Sequence, residues 1–166
     1  MLTSIEWVFG STHNDILTVA RGGWAYGDAG DDTLSGSATG APTDEVLIGG
    51  TGNDKFVLHL GFGAELIRDF KSGEDKLVVS AAEFNNVAFN YSFPFNNIVN
   101  NVTDGVLKTT AGASPQFIYD ETTTTLYFDT DGTGNMGPIA IATLFSMHNL
   151  PLNNGGFFSS SDFLIV

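Results

Sequence analysis

Two nine-residue stretches constrain this chain more than any other feature. Gly27-Asp28-Ala29-Gly30-Asp31-Asp32-Thr33-Leu34-Ser35 and Gly49-Gly50-Thr51-Gly52-Asn53-Asp54-Lys55-Phe56-Val57 share the pattern Gly-Gly-x-Gly-x-Asp-x-U-x, where U is a large apolar residue. The first copy departs from it at one place, with Asp28 where the second glycine belongs. The pattern has a physical reading at each position. Glycines at 30, 50 and 52 allow the positive φ and close backbone approach of a tight loop, so that carbonyl oxygens can converge. Asp32 and Asp54, at position six, add a hard anionic oxygen of the kind Ca²⁺ prefers. Leu34 and Phe56, at position eight, start a very short strand whose side chain points inward.

Weaker copies extend the register on either side. Residues 10–18 keep Asp15 and Leu17 in place but put His13 where a loop glycine belongs. Residues 19–26 read as a degenerate turn: Gly22-Gly23 survives, and no acid stands at the expected position. Residues 36–48 read as a repeat stretched by Ala38-Thr39-Gly40-Ala41-Pro42-Thr43, with Glu45 at the acid position and Leu47 at the apolar one. Ahead of them, Ile5-Glu6-Trp7-Val8-Phe9 is apolar and β-prone, a strand to cover the open end of a stack of coils.

These residues resemble the RTX, or hemolysin-type calcium-binding, proteins of bacteria. The resemblance implies that two successive nonapeptides make one right-handed turn of a parallel β-roll, with Ca²⁺ between loops stacked on the same side. Loops 10–15, 27–32 and 49–54 then share one side with Asp15, Asp32 and Asp54, which should hold about two ions, one between each stacked pair. Loops 19–24 and 36–45 share the other, where Trp24 and Glu45 stand near the corresponding places and Asp44 or Glu45 could complete one site. The resemblance continues through Glu65-Leu66-Ile67-Arg68-Asp69-Phe70-Lys71-Ser72-Gly73-Glu74-Asp75-Lys76-Leu77, similar to the segment that closes RTX rolls, with Glu65 in place of its first aspartate. Asp69 and Asp75 either bind a peripheral Ca²⁺ or shape the turn at Ser72-Gly73 and pair with Lys71 or Lys76. The tail Asp162-Phe163-Leu164-Ile165-Val166 is similar to the C-terminal export signal of type I secreted proteins; read as structure alone, it is a last β-strand.

Energetics give the metal a role. Ordering one nonapeptide costs about 1–2 kcal/mol per residue in backbone entropy, whereas one buried leucine returns about 1.5–3 kcal/mol. Stacked carboxylates also repel one another. Metal-binding free energy would therefore become folding free energy, tuned in an extracellular module to roughly 10⁻⁴–10⁻³ M calcium.

Ser80-Ala81-Ala82-Glu83 has capping-box spacing and should open a single helical turn. Beyond it the chain reads as antiparallel β, with short β-prone runs at 87–91 and 106–109 and strands around Phe117-Ile118-Tyr119, Leu126-Tyr127-Phe128 and 138–144. Asp129, Asp131 and Thr133 alternate like the first half of an EF-hand loop. Ala140 at the twelfth position excludes an EF-hand and leaves a glycine-rich hairpin turn or a different calcium loop. The 14 phenylalanines, many of them after residue 84, are read as core.

Composition excludes several functions. There are no cysteines, so neither disulfides nor thiolate metal sites hold the chain together. With 6 basic residues against 19 acidic ones and a net charge of −13, it cannot neutralise phosphates, which argues against nucleic acid. No apolar run approaches a membrane span, and no basic-then-apolar leader opens the sequence. The three histidines form no H-E-x-x-H, and no G-x-S-x-G appears, so no catalytic centre is expected.

The expectation is an all-β chain: a short right-handed parallel β-roll packed on a small antiparallel β-sandwich. Residues 1–79 would form the capping strand, roll and closing segment, and residues 80–166 the antiparallel region with its export tail. Asp15, Asp28, Gly30, Asp32, Asp44, Glu45, Gly50, Gly52, Asp54, Asp69 and Asp75 are the candidate metal-site residues. The resemblance implies a secreted, non-catalytic Ca²⁺-binding module. Its partners would be calcium ions, a type I secretion machinery and an N-terminal passenger, with an extracellular polysaccharide or cell surface as the alternative partner.

Overall fold

The computed structural model describes residues 7–84, 116–120, 123–131, 137–145 and 160–166, with the backbone of 102–103 and 106–107. Eight short strands build the roll: β1 Trp7–Phe9, β2 Ile16–Thr18, β3 Trp24–Tyr26, β4 Thr33–Ser35, β5 Val46–Ile48, β6 Lys55–Leu58, β7 Glu65–Ile67 and β8 Lys76–Val79. Successive strands alternate between two sheets. β1, β3, β5 and β7 pair in parallel in one, and β2, β4, β6 and β8 in the other. Each pair of strands with its two loops is thus one coil, and the register places position eight upon position eight, Leu17 on Leu34 on Phe56 on Leu77.

That register explains the core. Each strand from β3 on sends a residue into one inward column, the middle one in β3, β4 and β5 and the last in β7, and Ala25, Leu34, Leu47, Phe56, Ile67 and Leu77 are wholly buried. Period-two alternation turns most of their neighbours outward, while Val46 and Val78 are buried as well. The closing segment adds a full coil, because β7 and β8 pair in register with β5 and β6.

Two expectations need correcting here. Residues 19–26 are not simply a turn: Trp24–Tyr26 form β3, paired with both β1 and β5. Without an acid in loop 19–23, the strand is still held by Ala25 in the core and by Trp24 stacked on Trp7, with ring centroids 4.8 Å apart at 9°. After β8 a single turn forms, in which Phe84 N–H donates to Ser80 O at 3.0 Å. Glu83 does not fold back to cap that turn. Its carboxylate instead reaches Leu60 N–H at 2.7 Å.

The antiparallel part is hydrogen-bonded onto the roll. β11 Gln116–Asp120, β12 Thr125–Asp129 and β13 Ile139–Leu144 form a meander, and β13 lies parallel against β7, completing a seven-stranded sheet. β14 Phe163–Ile165 adds parallel to β8 as the fifth strand of the other sheet. A short antiparallel pair, β9 Val102–Thr103 and β10 Val106–Leu107, stands apart from both sheets. One apolar cluster runs through both parts, from Leu34 and Phe56 to Phe117, Leu126 and Phe128. Phe84 meets Phe128 edge to face at 5.0 Å, and Phe117 meets Phe163 at 5.1 Å, as the phenylalanine content implied. The β-prone run at 87–91 lies outside the described residues.

Candidate functional site

Because strands alternate between sheets, the loops fall on two opposite edges. Loops 10–15, 27–32, 49–54 and 68–75 share one, and loops 19–23, 36–45 and 59–64 share the other. The first edge stacks Asp15, Asp32, Asp54 and Asp75, each the residue before its strand. A hydrogen-bond ladder joins them. Asp15 N–H donates to Asp32 Oδ1 at 2.8 Å, Asp32 N–H to Asp54 Oδ1 at 2.9 Å, and Asp54 N–H to Asp75 Oδ1 at 3.0 Å. One oxygen of each downstream carboxylate therefore fixes the coil-to-coil spacing, and the other is left for something else.

The second oxygens differ along the column. Asp15 Oδ2 takes the Ser11 N–H and hydroxyl at 2.6 and 2.9 Å, and Asp75 Oδ2 takes Lys71 N–H at 2.8 Å. Asp32 Oδ2 is buried with no hydrogen-bond partner. The absent side chain of Gly27 leaves the space around it: a Cβ there would strike both Asp32 Oδ2 and the Gly49 carbonyl oxygen. Gly10 repeats the arrangement one coil earlier, with Asp15 Oδ2 and the Gly27 carbonyl. Position one must therefore be glycine because carboxylate and carbonyl oxygens crowd together beside it. Such a set of hard oxygens fits Ca²⁺. Among the described residues no group of three or more His, Cys, Asp or Glu side chains converges, so an ion here would rely on main-chain carbonyls as much as on carboxylates.

The electrostatics agree. Burial, then the neighbouring Asp75, Asp32 and Asp69, push the Asp54 carboxyl up to about 6, against its hydrogen bond with the Asp32 N–H. Burial also raises Asp75 and Asp69. Like charges stacked in low dielectric must take up protons or a cation.

The other candidates fall into place around this column. Asp28 is exposed with φ 80°, and its carbonyl accepts the Thr51 N–H at 2.9 Å. Gly30, Gly50 and Gly52 have φ of 131°, 99° and 141°. Asp69 caps the loop that follows β5, accepting the N–H groups of Gly49 and Gly50 at 3.0 and 2.7 Å. Asp75 is a rung of the main column, not a peripheral group. The lysines named as its partners act otherwise: Lys71 Nζ pairs with Glu74 at 2.6 Å, and Lys76 Nζ reaches the Asp75 carbonyl. A parallel column of Asn14, Asp31 and Asn53 escaped the sequence reading. Asp31 N–H donates to Asn14 Oδ1 at 2.9 Å and Asn53 N–H to Asp31 Oδ1 at 2.8 Å, and hydrogen bonds from Asn53 hold the Asp31 carboxyl below its ordinary range. The signal was present in the Asn/Asp/Asn at position five.

On the opposite edge, Glu45 stands in register with Glu65, and both are buried. Glu45 Oε1 accepts Gly22 N–H at 2.9 Å and the Thr43 hydroxyl at 2.8 Å, while Glu65 Oε2 has no hydrogen-bond partner. Burial first, then Glu45, Asp44 and Glu83, push Glu65 up to about 8. A Cβ on Gly36 would lie 2.9 Å from Glu45 Oε2 and 3.2 Å from Glu65 Oε1. This edge therefore holds a buried acid pair, and Glu65 was not among the expected site residues. Asp44 is exposed and caps Ala64 N–H at 3.0 Å.

Beside the pair, Ser35 Oγ lies 3.1 Å from His59 Nε2, and His59 Nδ1 lies 3.2 Å from Glu83 Oε2. These are the contacts of a nucleophile relay. The Ser35 hydroxyl also donates to Gly36 O at 3.0 Å, and the space beside Gly36 is lined by carboxylates where an oxyanion would need N–H donors. At the hairpin, Asp131 N–H donates to Asp129 Oδ1 at 3.2 Å, and Thr133 lies outside the described residues.

Strand order and register define the molecule as an all-β protein built on a parallel β-roll. Neither the protein-family models nor the curated proteins include a match to this chain. Among solved structures it is similar to the AlgE6R3 subunit of the mannuronan C5-epimerase of Azotobacter vinelandii, at 21% identity, covering 91% of this chain and 84% of that one, with a TM-score of 0.35. The fold class stands on the strand order, not on that likeness.

Proposed function

We propose that this chain is a non-catalytic module whose roll is ordered by Ca²⁺ bound between loops stacked on the Asp15–Asp75 edge. The observation that carries this reading is Asp32 Oδ2. It is a buried carboxylate oxygen without a hydrogen-bond partner, beside a carbonyl of the next coil, in a column of four acids. Asp32 and Asp54 with the carbonyls of Gly27 and Gly49 would hold the ion. Asp15 and the Gly27 carbonyl form an equivalent place one coil earlier. When bound, the cation neutralises the column and ties consecutive coils, which short strands with few core side chains each do weakly. Glu45 and Glu65 would hold a further cation on the opposite edge.

The tail supports a role in export followed by calcium-triggered folding outside the cell. In the folded chain Asp162 is fully buried and accepts Gly73 N–H at 3.0 Å and the Ser72 hydroxyl at 2.8 Å, and Phe163–Ile165 are paired as β14. A secretion machine could read this segment only before the roll folds, and low cytosolic calcium would keep it unfolded.

Far-UV circular dichroism during calcium titration tests the proposal. The β signal should appear with calcium and be largely lost with EDTA. A spectrum unchanged by EDTA would refute it.

A further inference from the structure

We propose, on the reading that calcium binds along the Asp15–Asp75 edge, that Asp69 is the residue that positions a main-chain ligand of the Asp32 site. From the closing segment it aims and polarises the Gly49 carbonyl, and so makes the Asp32 site stronger than the one at Asp15.

Asp69 holds the Gly49–Gly50 peptide from behind. The C=O and N–H of one planar trans peptide point opposite ways. Gly50 N–H donates to Asp69 Oδ2 at 2.7 Å, so the Gly49 carbonyl of the same plane is turned away from Asp69, toward the preceding coil. There it crowds the space beside Gly27 together with Asp32 Oδ2. The peptide before it is held the same way. Gly49 N–H donates to Asp69 Oδ1 at 3.0 Å, and the Ile48 carbonyl accepts Gly27 N–H at 2.8 Å. One carboxylate thus fixes two successive peptides, with both carbonyls directed at the coil that carries Asp32. A charged acceptor makes a stronger hydrogen bond than a neutral one. An N–H bound to it leaves the carbonyl of its plane more negative, and a hard cation favours such an oxygen.

Strand register shows why only this coil has the device. Leu47 pairs with Ile67, Tyr26 with Ile48 and Phe9 with Tyr26, so Asp69 continues the column that Gly10, Gly27 and Gly49 begin. In those three coils position one is glycine, and in the closing coil it is an acid that reaches back to Gly49. The site one coil earlier lacks this support. There the Gly27 carbonyl faces Asp15 Oδ2, and among the described residues no carboxylate accepts the Asp28 N–H of the same plane. Asp15 Oδ2 is also taken by the Ser11 N–H and hydroxyl, whereas Asp32 Oδ2 is buried with no hydrogen-bond partner.

Chemical denaturation of the full chain across a calcium series tests this. Stability rises with the logarithm of calcium in proportion to the ions the folded state holds. Asp69→Asn keeps the shape and removes the charge, and should weaken the Asp32 site about 10–100-fold, as loss of a group behind a metal ligand commonly does. Between the wild-type and variant midpoints of that site the slope should therefore fall by about one ion. Ile141→Val, a change inside the core, should lower stability equally at every calcium concentration. In saturating calcium the Gly50 amide proton should resonate downfield of the Asp28 amide proton. The Gly49 carbonyl carbon should move upfield in Asp69→Asn while that of Gly27 stays. A slope and a Gly49 shift unchanged in the variant overturn the proposal. So does a uniform loss of stability with the slope intact, because Asp69 would then only brace the loop. If Asp69→Asn does not fold, a wild-type Gly50 amide proton no further downfield than that of Asp28 overturns it. Wild-type stability independent of calcium would instead overturn the calcium reading, and this assignment with it.

Discussion

The two loop edges of the roll solve one problem with different residues. On the aspartate edge each acid is short and sits directly before its strand, and Asp32, Asp54 and Asp75 each accept the backbone N–H of the acid one coil earlier. The side chain is thus part of the repeat's geometry, and any ion bound there would also tie the strands. On the glutamate edge the loops differ in length, Glu45 is held by Gly22 and Thr43, and Glu65 Oε2 is buried without a partner. An extra methylene lets the carboxylate reach inward from a stretched loop, but its contacts do not repeat from coil to coil. Coil spacing on the first edge is set by a regular ladder of N–H groups and carboxylates, and on the second by strand pairing with single contacts such as Gly22 N–H to Glu45 Oε1 and Ala64 N–H to Asp44 Oδ1.

Substitution on the two edges should separate these roles. Asp32→Ala removes a ladder acceptor and the orphaned oxygen at once, and should raise the calcium midpoint for folding by roughly tenfold or more, about 1.4 kcal/mol per decade. Glu45→Ala should raise it by less. Equal shifts in a dichroism-monitored titration would mean that the edges are equivalent and the ladder is irrelevant.

Glycine replacements give the next largest contrast. Ala at Gly27 would strike the Gly49 carbonyl and Asp32 Oδ2, and should cost about 1–3 kcal/mol, as overpacking does. Gly22 has φ 69° with nothing near its missing side chain, so Ala there bears only the left-handed penalty, about 1 kcal/mol. Chemical denaturation in saturating calcium would rank the two, and the reverse order would break the assignment of the oxygen-lined space.

A subtler test uses protons in place of calcium. Asp54 and Glu65 have folded pKa values of about 6 and about 8, above their ordinary values of 3.8 and 4.5. The folded state binds those protons more tightly, so their stabilisation is complete below the ordinary values and is lost as pH rises through the folded ones. In EDTA, lowering the pH from 8 to 5 should therefore restore part of the β signal, whereas with calcium the protein should be more stable at pH 8, where the carboxylates are free to bind. Glu65→Gln should flatten the upper part of the EDTA profile and leave the Asp54 part. An EDTA profile that rises with pH would show that like-charge repulsion does not govern the metal-free roll.

The smallest effect concerns His59. His59→Gln removes the link between Ser35 and Glu83, yet Glu83 keeps its hydrogen bond to Leu60 N–H. Melting in calcium should change by less than about 1 kcal/mol.

Much of this molecule was legible in the sequence because a nonapeptide repeat imposes its geometry locally. Glycine position, acid position and a single inward residue marked each loop and short strand in the sequence. The division of loops between edges and the stacking of Asp15, Asp32 and Asp54 came from the resemblance that those residues carry, and the strand register agrees with both. Tertiary structure decided the rest. Only strand pairing brought Glu65 into register with Glu45, made Asp75 the fourth rung of the column, turned residues 24–26 into a strand and sent Glu83 to Leu60 instead of its own turn. It also joined β13 to β7 and β14 to β8, closing one end of the roll while leaving Trp7, Phe9 and Ile16 at the other. Those outcomes depend on partners far apart in the chain, and a burial-driven pKa exists only once the surrounding coils have excluded water.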